Sequence, residues 1–411
     1  MPRVLLLLPT TTYRTPDFLE AAERLGLEVT VASEESSALE GSSPDGLLTL
    51  DFREPAACAR RVEEFARRVP IAAAVGVDEQ TVVAASAISA ALGLPANPPG
   101  AAVAAWHKGT LRRRLSAAGV PTPAHRIFSR HEDAAGVAGR IRYPCVLKPT
   151  FLAGSRGVIR ADEPEGFVAA WGRIDRLLED PAVSRLGGKL AGEILVEDFV
   201  FGSEFAVEGL LAGGELSVLA LFDKPDPLDG PFFEETIYVT PSRLPEPEQR
   251  EIHRVVAAGA RALGLSEGPV HAEVRHGASG TWLIELAARS IGGLCARTLR
   301  FGTGISLEEL ILRSALRMEI QTLEREPLAA GVLMIPIPKA GVLEEIGGVD
   351  RARAVPGIVE VAITAHLGQR LVPLPEGSRY LGFLFSRAER PEEAEAALRR
   401  AQSLLGFSIG S

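Results

Sequence analysis

The sequence predicts a multidomain protein of mixed α/β and α+β class, with a parallel sheet in its N-terminal domain. The chain has 411 residues. This length is too great for a single hydrophobic core of ordinary size. Strand and helix patterns alternate over residues 1–100, which is typical of a parallel sheet covered on both faces by helices. Strand patterns dominate after residue 124, and a small α+β unit follows residue 327.

The N-terminal domain is predicted from its first strand onward. Residues 4–8 are a continuous apolar run, which indicates a strand buried on both faces rather than a signal peptide, since no cleavage site follows. The breaker-rich segment LPANPPG at 94–100 ends the unit. Further strands are expected near residues 28–32, 46–51 and 71–77, and helices near 16–25, 55–68 and 80–92.

Four units are expected after this boundary, over residues 101–123, 124–200, 201–327 and 328–411. The first is predicted to be a helical linker, with helix over 101–120, that ends at the segment GVPTP. Strands are predicted near 125–128, 144–148, 158–161, 194–198, 204–211, 217–222, 330–335, 359–364 and 380–386, with a hairpin over 270–287. Helices are predicted near 164–178, 246–263, 307–316 and 391–404.

Composition argues against two classes of partner. The 44 basic and 53 acidic residues give a formal charge of −9, whereas nucleic acids and anionic membranes select clustered Lys and Arg. The run Arg112 to Arg114 is interpreted as a solvated helix face. We therefore expect neither nucleic acid nor membrane as a partner.

The cysteines and the absence of long apolar segments predict a cytoplasmic protein. Cys58, Cys145 and Cys295 are scattered, odd in number and without metal-ligand spacing, which fits a reducing compartment. Cys145 lies in an apolar strand pattern and is predicted to be a core thiol. No segment approaches the length of a membrane-spanning helix.

The hairpin segment PVHAEVRHGASGTWLIELAAR carries the strongest pattern. With a turn over residues 277–280, Glu273 and Glu285 lie opposite each other on one face. Directly opposed carboxylates repel at about 5 Å unless a cation lies between them, and hard oxygen ligands suit Mg²⁺. The alternative is a solvated outer face. The two faces are predicted to carry His271, Glu273 and Arg275 on the polar side, and Ala272, Val274, Trp282, Ile284 and Leu286 on the apolar side.

A second segment, YPCVLKPTFLAGSRGV at 143–158, places a lysine before a glycine loop. Lys148 ends a buried strand pattern, and Gly154, Ser155 and Gly157 follow. Glycines let backbone N–H groups surround phosphate oxygens, and a lysine supplies a point charge. The order differs from a Walker loop, in which the glycines precede the lysine. An ordinary hairpin loop is the alternative.

The third segment, ILVEDFVFGSEFAVEGLL at 194–211, contains three spaced carboxylates. Glu197 ends one strand pattern, and Glu204 and Glu208 share a face of the next. A carboxylate there could accept hydrogen bonds from ribose hydroxyls. The alternative is a set of exposed strand carboxylates.

Together, and in this order, these segments resemble the ATP-grasp superfamily over roughly residues 1–325. The family pattern has a lysine before a GVPTP-like strand, a lysine before a glycine loop, two spaced glutamates, and a metal-binding hairpin that ends in Glu-x-x-x-Arg. The matching positions are Lys108, Lys148, the loop 154–157, Glu197, Glu204, Glu273, Glu285 and Arg289.

The resemblance implies an ATP-grasp fold and names for its parts. Residues 1–100 would be the pre-ATP-grasp domain, and 101–123 the helical linker. Residues 124–200 would be the lid subdomain, 201–327 the catalytic subdomain, and 328–411 the C-terminal domain.

The resemblance also implies ATP and Mg²⁺ as cofactors, with Mn²⁺ as an alternative ion, and roles for individual residues. Lys108 and Lys148 would contact the α- and β-phosphates, and Gly154, Ser155 and Gly157 would cover the β- and γ-phosphates. Adenine would lie by Glu197, Phe199 and Val200, ribose by Glu204, and the metal between Glu273 and Glu285. His271, Lys148 and Arg289 would act in the reaction, with His271 and Arg289 facing an acyl phosphate.

One residue departs from the family pattern. Many members have Asn two residues after the second metal glutamate, where this chain has Ala287, so one metal ion would have fewer protein ligands. The form Glu-Leu-Ala-Ala-Arg and the tail GSRYLGFLFSRAERPEEAEAALRRAQSLLGF are similar to those of the L-amino acid ligases. This similarity implies two amino acids as carboxylate and amine substrates, joined through an acyl phosphate. Homodimerisation is left open.

Several substrate contacts and two other functions complete the expectations. The stretch 221–244 is interpreted as a substrate wall, with Glu235 as an anchor for an α-amino group and Gly293 beside the substrate; an ordinary surface loop is the alternative. Arg297 or Arg300 would pair with a second carboxylate or, more simply, form a structural salt bridge. The other functions are a carboxylase-like or nucleotide-precursor ATP-grasp enzyme and a non-catalytic ATP-binding protein.

Overall fold

The computed structural model describes residues 1–410, and its N-terminal domain is built on a parallel sheet. The strands lie in the order β3-β2-β1-β4, and Leu5 of β1 pairs with Thr30 and Ala74 on either side. Val4 to Leu7 are fully buried, as the apolar run predicts for a strand covered on both faces. The elements are β1 (Arg3–Leu7), α1 (Thr15–Arg24), β2 (Glu28–Ser33), β3 (Leu47–Thr49), α2 (Pro55–Ala66), β4 (Ala73–Gly76) and α3 (Val82–Leu92).

The linker is two helices rather than the one continuous stretch that was predicted. They are α4 (Pro99–Trp106) and α5 (Lys108–Ala117). His107 between them is extended at φ −87° and ψ 105°, and its side chain accepts a hydrogen bond from the backbone N–H of Thr110. This cap satisfies an N–H that the new helix start would otherwise leave free. The break places Lys108 at the start of α5.

The lid is a four-stranded antiparallel sheet in the order β5-β8-β6-β7. Cys145 on β6 is fully buried in its core, as predicted. The lid elements are β5 (His125–Ser129), α6 (Ala134–Ala138), β6 (Cys145–Pro149), β7 (Ile159–Ala161), α7 (Pro164–Glu179), α8 (Pro181–Gly187) and β8 (Glu193–Asp198).

The catalytic subdomain supplies the centre of an eight-stranded sheet, β13-β12-β9-β10-β11-β16-β20-β18. Its helix α10 packs against α1 of the N-terminal domain, where Arg14 and Glu308 form a buried ion pair with 2.7 Å between nitrogen and oxygen. The elements are β9 (Ser203–Ala212), β10 (Glu215–Asp223), β11 (Ile237–Thr240), α9 (Glu246–Leu263), β12 (Gly268–Gly277), β13 (Gly280–Ala287), β14 (Arg300–Phe301), β15 (Ile305–Ser306) and α10 (Leu307–Ala315).

The C-terminal region continues this sheet and adds a smaller one in the order β19-β17-β21. The large sheet therefore runs through the proposed boundary at residue 328, and the domain limits remain a prediction. The elements are β16 (Ala329–Ile335), β17 (Gly341–Gly347), α11 (Val349–Arg353), β18 (Ile358–Ile363), β19 (Arg370–Leu371), β20 (Gly382–Ala388), α12 (Pro391–Leu404) and β21 (Gly406–Gly410).

The predicted fold class is confirmed: a parallel α/β domain is followed by antiparallel α+β units. The strands β11, β14, β15, β17, β19 and β21 were not predicted. Across residues 1–410, none of the helices is both long and apolar enough to cross a bilayer.

Candidate active site

The hairpin β12–β13 brings Glu273 and Glu285 directly opposite each other, as predicted. One detail of the prediction is wrong. The register shifts after Glu273, so that Val274 pairs with Leu283 and Ile284 is an extra residue in a β-bulge. Leu283 rather than Ile284 therefore lies in the core beside Val274, and Ile284 lines the cleft.

One cavity of about 1240 Å³ connects the predicted residues. It lies between the lid, the catalytic subdomain, the N-terminal domain and strand β20. Gly157 is the single predicted site residue outside its wall. The predicted residues in the wall are Lys108, Lys148, Gly154, Ser155, Glu197, Phe199, Val200, Glu204, Glu235, His271, Glu273, Glu285, Arg289 and Gly293.

Lys108 lies beside the second carboxylate of the hairpin. Its Nζ donates to the carbonyl of Leu152 at 2.8 Å and to Oε1 of Glu285 at 3.2 Å. Burial opposes the charged form of Glu285, but Lys108 keeps the pKa of that carboxyl below its ordinary value. Glu285 is thus an ionised carboxylate in the cleft.

Lys148 belongs to a buried triad with Glu197 and Arg112. Lys148 Nζ lies 2.7 Å from Oε2 of Glu197, and Arg112 Nε lies 2.5 Å from Oε1. Burial opposes ionisation of Glu197, yet the two cations hold its pKa at about 2. Burial lowers the pKa of Lys148 despite Glu197. Because both of its oxygens are engaged, the Glu197 side chain fixes Lys148.

The interpretation of the arginine run as a solvated face is wrong for Arg112, which is fully buried. Arg112 lies four residues after Lys108 on α5, so the two side chains share a helix face. This spacing was the available indication that Arg112 also reaches the site.

Lys224 is the residue that sequence reasoning missed. Its Nζ lies 2.8 Å from Glu204, 2.6 Å from Glu235 and 3.0 Å from Glu273, each measured to Oε1. Tyr238 donates its hydroxyl to Glu235 at 2.6 Å. Burial alone would lower the pKa of Lys224, but the three carboxylates raise it well above its ordinary value. Lys224 follows an apolar strand, the same pattern that identified Lys148.

Two of the carboxylates around Lys224, Glu235 and Glu273, have pKa values shifted in opposite directions. Burial raises the pKa of Glu235 to about 7. Burial also opposes ionisation of Glu273, but Lys224 and His271 hold the pKa of Glu273 well below its ordinary value. Glu273 is therefore the ionised member of the pair at neutral pH.

His271 lies on the same strand as Glu273 and is cationic at neutral pH. Its Nδ1 lies 3.1 Å from Oε2 of Glu208, which also accepts from the backbone N–H of Ile291 at 3.0 Å. Burial alone would lower the pKa of His271, but Glu208 and Glu273 raise it to about 9. The site thus holds a fixed positive charge beside Glu273.

We expect this charge to make stability depend on alkaline pH. The folded-state pKa of His271 lies above its ordinary value of 6.5, so its contribution is full below pH 6.5 and is lost as pH rises through about 9. The loss amounts to about 3 kcal/mol of unfolding free energy at most. Denaturant unfolding of the wild type and His271→Gln at pH 6.5 and 9.5 measures it.

In this comparison the stability difference between the two proteins should shrink at pH 9.5. His131→Gln changes an exposed histidine and serves as the control, which should follow the wild type at both pH values. An equal difference at both pH values would remove His271 as the titrating group.

Arg289 also lines the cavity, held by a partner from the N-terminal domain. Its Nε donates to Oε2 of Glu79 at 2.7 Å. Burial opposes the charge, but Glu79 and Glu285 raise the pKa of Arg289 above its ordinary range. Glu79 was not predicted, because the sequence places it far from the hairpin.

The two other candidate arginines make structural contacts. Arg297 pairs with Asp17 at 3.0 Å and Glu360 at 2.5 Å. Arg300 donates to the carbonyl of Leu299 at 2.8 Å. Neither contact supports a second substrate carboxylate. The structural salt bridge is confirmed for Arg297, whereas Arg300 donates to backbone carbonyls and, within residues 1–410, forms no ion pair.

Phe199, Phe233 and Arg275 line another part of the cavity, and Arg160 packs on Phe199 from outside its wall. The guanidinium carbons of Arg160 and Arg275 lie 4.2 and 4.7 Å from the ring centroid of Phe199. Arg275 also donates to the carbonyl of Val200 at 2.9 Å and to Glu204 at 3.2 Å. An aromatic side chain and a guanidinium group next to a carboxylate are suited to contact a base and its ribose.

The glycine loop divides into an open part and an anchored part. Gly154 and Ser155 line the cavity at φ +63° and +56°. Gly157 is buried, and its N–H donates to the carbonyl of Pro375 at 2.8 Å. This N–H is therefore engaged by the C-terminal domain rather than facing the cavity, which corrects the expectation for Gly157.

Gly157→Ala is expected to destabilise the lid by about 1–3 kcal/mol. An added Cβ would lie 2.9 Å from Leu177 and Pro149, at a backbone φ of +73°. Gly154→Ala is the matched control, because its φ is +63° but nothing lies within 4 Å of the added carbon. Thermal unfolding should show a larger loss for Gly157→Ala, and equal losses would exclude the packing argument.

This fold and cavity define an ATP-grasp protein. The chain matches the ATP-grasp N-terminal domain over residues 19–96, the ATP-grasp domain over 141–298, and the L-amino acid ligase C-terminal domain 2 over 333–410. The chain therefore belongs to the ATP-grasp superfamily of ATP-dependent ligases and carries the C-terminal domain of the L-amino acid ligase type.

The chain is similar to three proteins along part or all of its length. The crystal structure of an L-amino acid ligase from Bacillus licheniformis is 27% identical and superposes with a TM-score of 0.85 over 100% of this chain and 99% of that one. An uncharacterised protein of Sinorhizobium fredii is 25% identical over 100% of this chain and 84% of its own. The alanine–anticapsin ligase of Bacillus subtilis is 28% identical over 54% of this chain, which spans about half (49%) of that relative.

Proposed function

We propose that the protein joins two amino acids in an ATP- and Mg²⁺-dependent ligase reaction that passes through an acyl phosphate. The observation that carries the proposal is the opposed pair Glu273 and Glu285 in one cavity with Lys108 and Lys148. Paired hard oxygen ligands facing two lysines form an arrangement suited to a metal-bound triphosphate.

The residues fit a divalent cation. Lys224 and Lys108 bond Oε1 of Glu273 and Oε1 of Glu285, respectively, and among residues 1–410 no donor is found on either Oε2. Two hard oxygens are therefore available to Mg²⁺ or Mn²⁺, and Ala287 adds no ligand. When bound, the ion would offset the negative charge of the phosphates.

The nucleotide would lie along the cavity from Phe199 to the hairpin. Phe199 and the Val200 backbone would contact adenine, and Glu204 would accept a ribose hydroxyl. Lys108 and Lys148 would bind phosphate oxygens, with Glu197 holding Lys148 in place. The open part of the glycine loop, Gly154 and Ser155, would cover the terminal phosphates.

The reaction follows from the positive groups around the hairpin. A substrate carboxylate oxygen attacks the γ-phosphorus, and the bond from that phosphorus to the β,γ-bridging oxygen breaks to release ADP. His271 and Arg289 stabilise the acyl phosphate because both are cationic at neutral pH. An amine nitrogen then attacks the acyl carbon, phosphate leaves with its oxygen, and the nitrogen loses a proton.

Amino acids as substrates are supported by the far end of the cavity and by the relatives. Glu235 is partly buried and its side chain lies near Tyr238, where its oxygens would accept hydrogen bonds from an α-amino group. Gly293 lies beside Phe383, which would contact an added Cβ at 3.0 Å, so the wall there is close to the backbone. The L-amino acid ligase fold and the alanine–anticapsin ligase likeness support the same substrate class.

A screen of ADP release with pairs of amino acids tests the proposal, with mass detection of the product. We expect ADP release to rise strongly with at least one pair and the product to have the combined mass less water. A requirement for bicarbonate would instead indicate a carboxylase. Nucleotide-dependent thermal stabilisation without turnover for any pair would indicate a binding protein.

A further inference from the structure

A second cavity, of about 610 Å³, lies between the lid helix α7 and the C-terminal domain. We call it the arginine groove. It contains five arginines and two carboxylates, a formal charge of +3 in a chain whose total is −9. The charged members are Arg156, Arg173, Arg176, Arg370, Arg379, Asp180 and Glu376.

Two of these arginines hold the groove together. Arg173 makes a bidentate pair with Glu376, with both nitrogen–oxygen distances 2.9 Å. Arg156 Nε donates to the backbone carbonyl of Glu376 at 2.8 Å. Glu376 is thereby neutralised, and the lid is fixed to the C-terminal domain across the groove floor.

The other three arginines are not engaged. Arg176, Arg370 and Arg379 make no hydrogen bond or ion pair with any residue in 1–410. Like charges collected in one concavity repel each other, and the field of the groove favours an anion. The groove therefore has three arginine side chains without an acidic partner and a framework that joins its two walls.

We propose that the arginine groove binds a small phosphate-bearing anion. Guanidinium groups match phosphate oxygens in a bidentate geometry that lysine does not offer. The volume lies within the range of small-molecule sites. The phosphate could come from inorganic phosphate or from the tail of a second nucleotide, and both share the chemistry that the arginines recognise.

The anion would act on the main cavity through the shared wall. Arg156 and Ser378 line both cavities, and Arg156 belongs to the glycine loop. An anion bound both by Arg176 of α7 and by Arg379 of the C-terminal domain would hold the lid against that domain. By linkage it should tighten nucleotide binding, and nucleotide should tighten anion binding by the same factor.

Titration calorimetry on the full chain saturated with a non-hydrolysable ATP analogue tests the site, because the analogue occupies all three phosphate positions of the main cavity. Inorganic phosphate and pyrophosphate are titrated separately at constant ionic strength. We expect one site, with a Kd that rises roughly tenfold or more in Arg176→Gln/Arg379→Gln. If phosphate binds more tightly than pyrophosphate, the ligand is the free ion. If pyrophosphate binds more tightly, the ligand is the tail of a nucleotide.

The control is Arg400→Gln, which removes an exposed charge from α12 outside the groove and should leave the Kd unchanged. If the double variant unfolds, Arg370→Gln alone replaces it. No binding in the analogue-saturated protein, an equal Kd in the groove variants, or equal binding of citrate would overturn the proposal. The outcome is independent of ligase activity, which the ADP-release screen measures.

Discussion

Glu285→Gln should lower kcat by about 10³-fold or more while the protein stays folded. The side chain keeps its size, but the amide cannot supply the anionic oxygen that Oε2 of Glu285 would offer to a divalent ion. Lys108 also loses an ionic partner at 3.2 Å. Steady-state ADP release with the best amino-acid pair measures the effect, and circular dichroism verifies the fold.

The variant should also change how activity depends on the metal. We expect a higher concentration of Mg²⁺ or Mn²⁺ to be needed for whatever turnover remains. Glu215→Gln is a matched control, because Glu215 is exposed on β10. Wild-type turnover by Glu285→Gln would remove this residue from the mechanism.

The second large effect is expected for Lys224→Met, which keeps the length of the side chain but removes its charge. Glu204, Glu235 and Glu273 would then face each other in a buried space without their common ammonium partner. Breaking one buried ion pair costs about 3–5 kcal/mol. We expect an unfolding free energy lower by about that amount and a loss of turnover, because Glu273 is displaced from Glu285.

A second substitution separates charge repulsion from lost packing. Lys224→Met/Glu273→Gln should recover part of the stability, since the carboxylate that is ionised at neutral pH becomes neutral. Lys189→Met alters an exposed lysine and should have little effect. If the double variant is no more stable than Lys224→Met, packing rather than charge accounts for the loss.

Several parts of the site were predictable because they depend on local spacing. The pairing of Glu273 with Glu285 follows from the position of the turn, because side chains alternate strictly along two antiparallel strands. The order of Lys148 and the glycine loop follows from the chain itself. Cys145 was correctly assigned to the core because its neighbours are apolar on both sides.

Other parts depend on contacts between distant segments. Arg112 looks like a surface residue beside Arg113 and Arg114, but α5 turns it inward to Glu197, 85 residues away. The bulge at Ile284 reverses which residues of β13 reach the core, and alternation alone does not reveal an inserted residue. Glu79 reaches the site only through the packing of separate domains, and Lys224 reaches Glu204 and Glu273 through the pairing of strands β10, β9 and β12.

The sequence by itself determined the class of this protein: its elements, the hairpin carboxylates, two lysines, a glycine loop and their order. These are properties of short segments, set by backbone periodicity and turn residues. Only the tertiary structure decided which charges meet. The ion pairs of the site join residues that are distant in the chain: Arg112 with Glu197, Arg289 with Glu79, and Lys224 with Glu204 and Glu273. They form because a buried charge requires a partner, and the fold decides which partner is close enough.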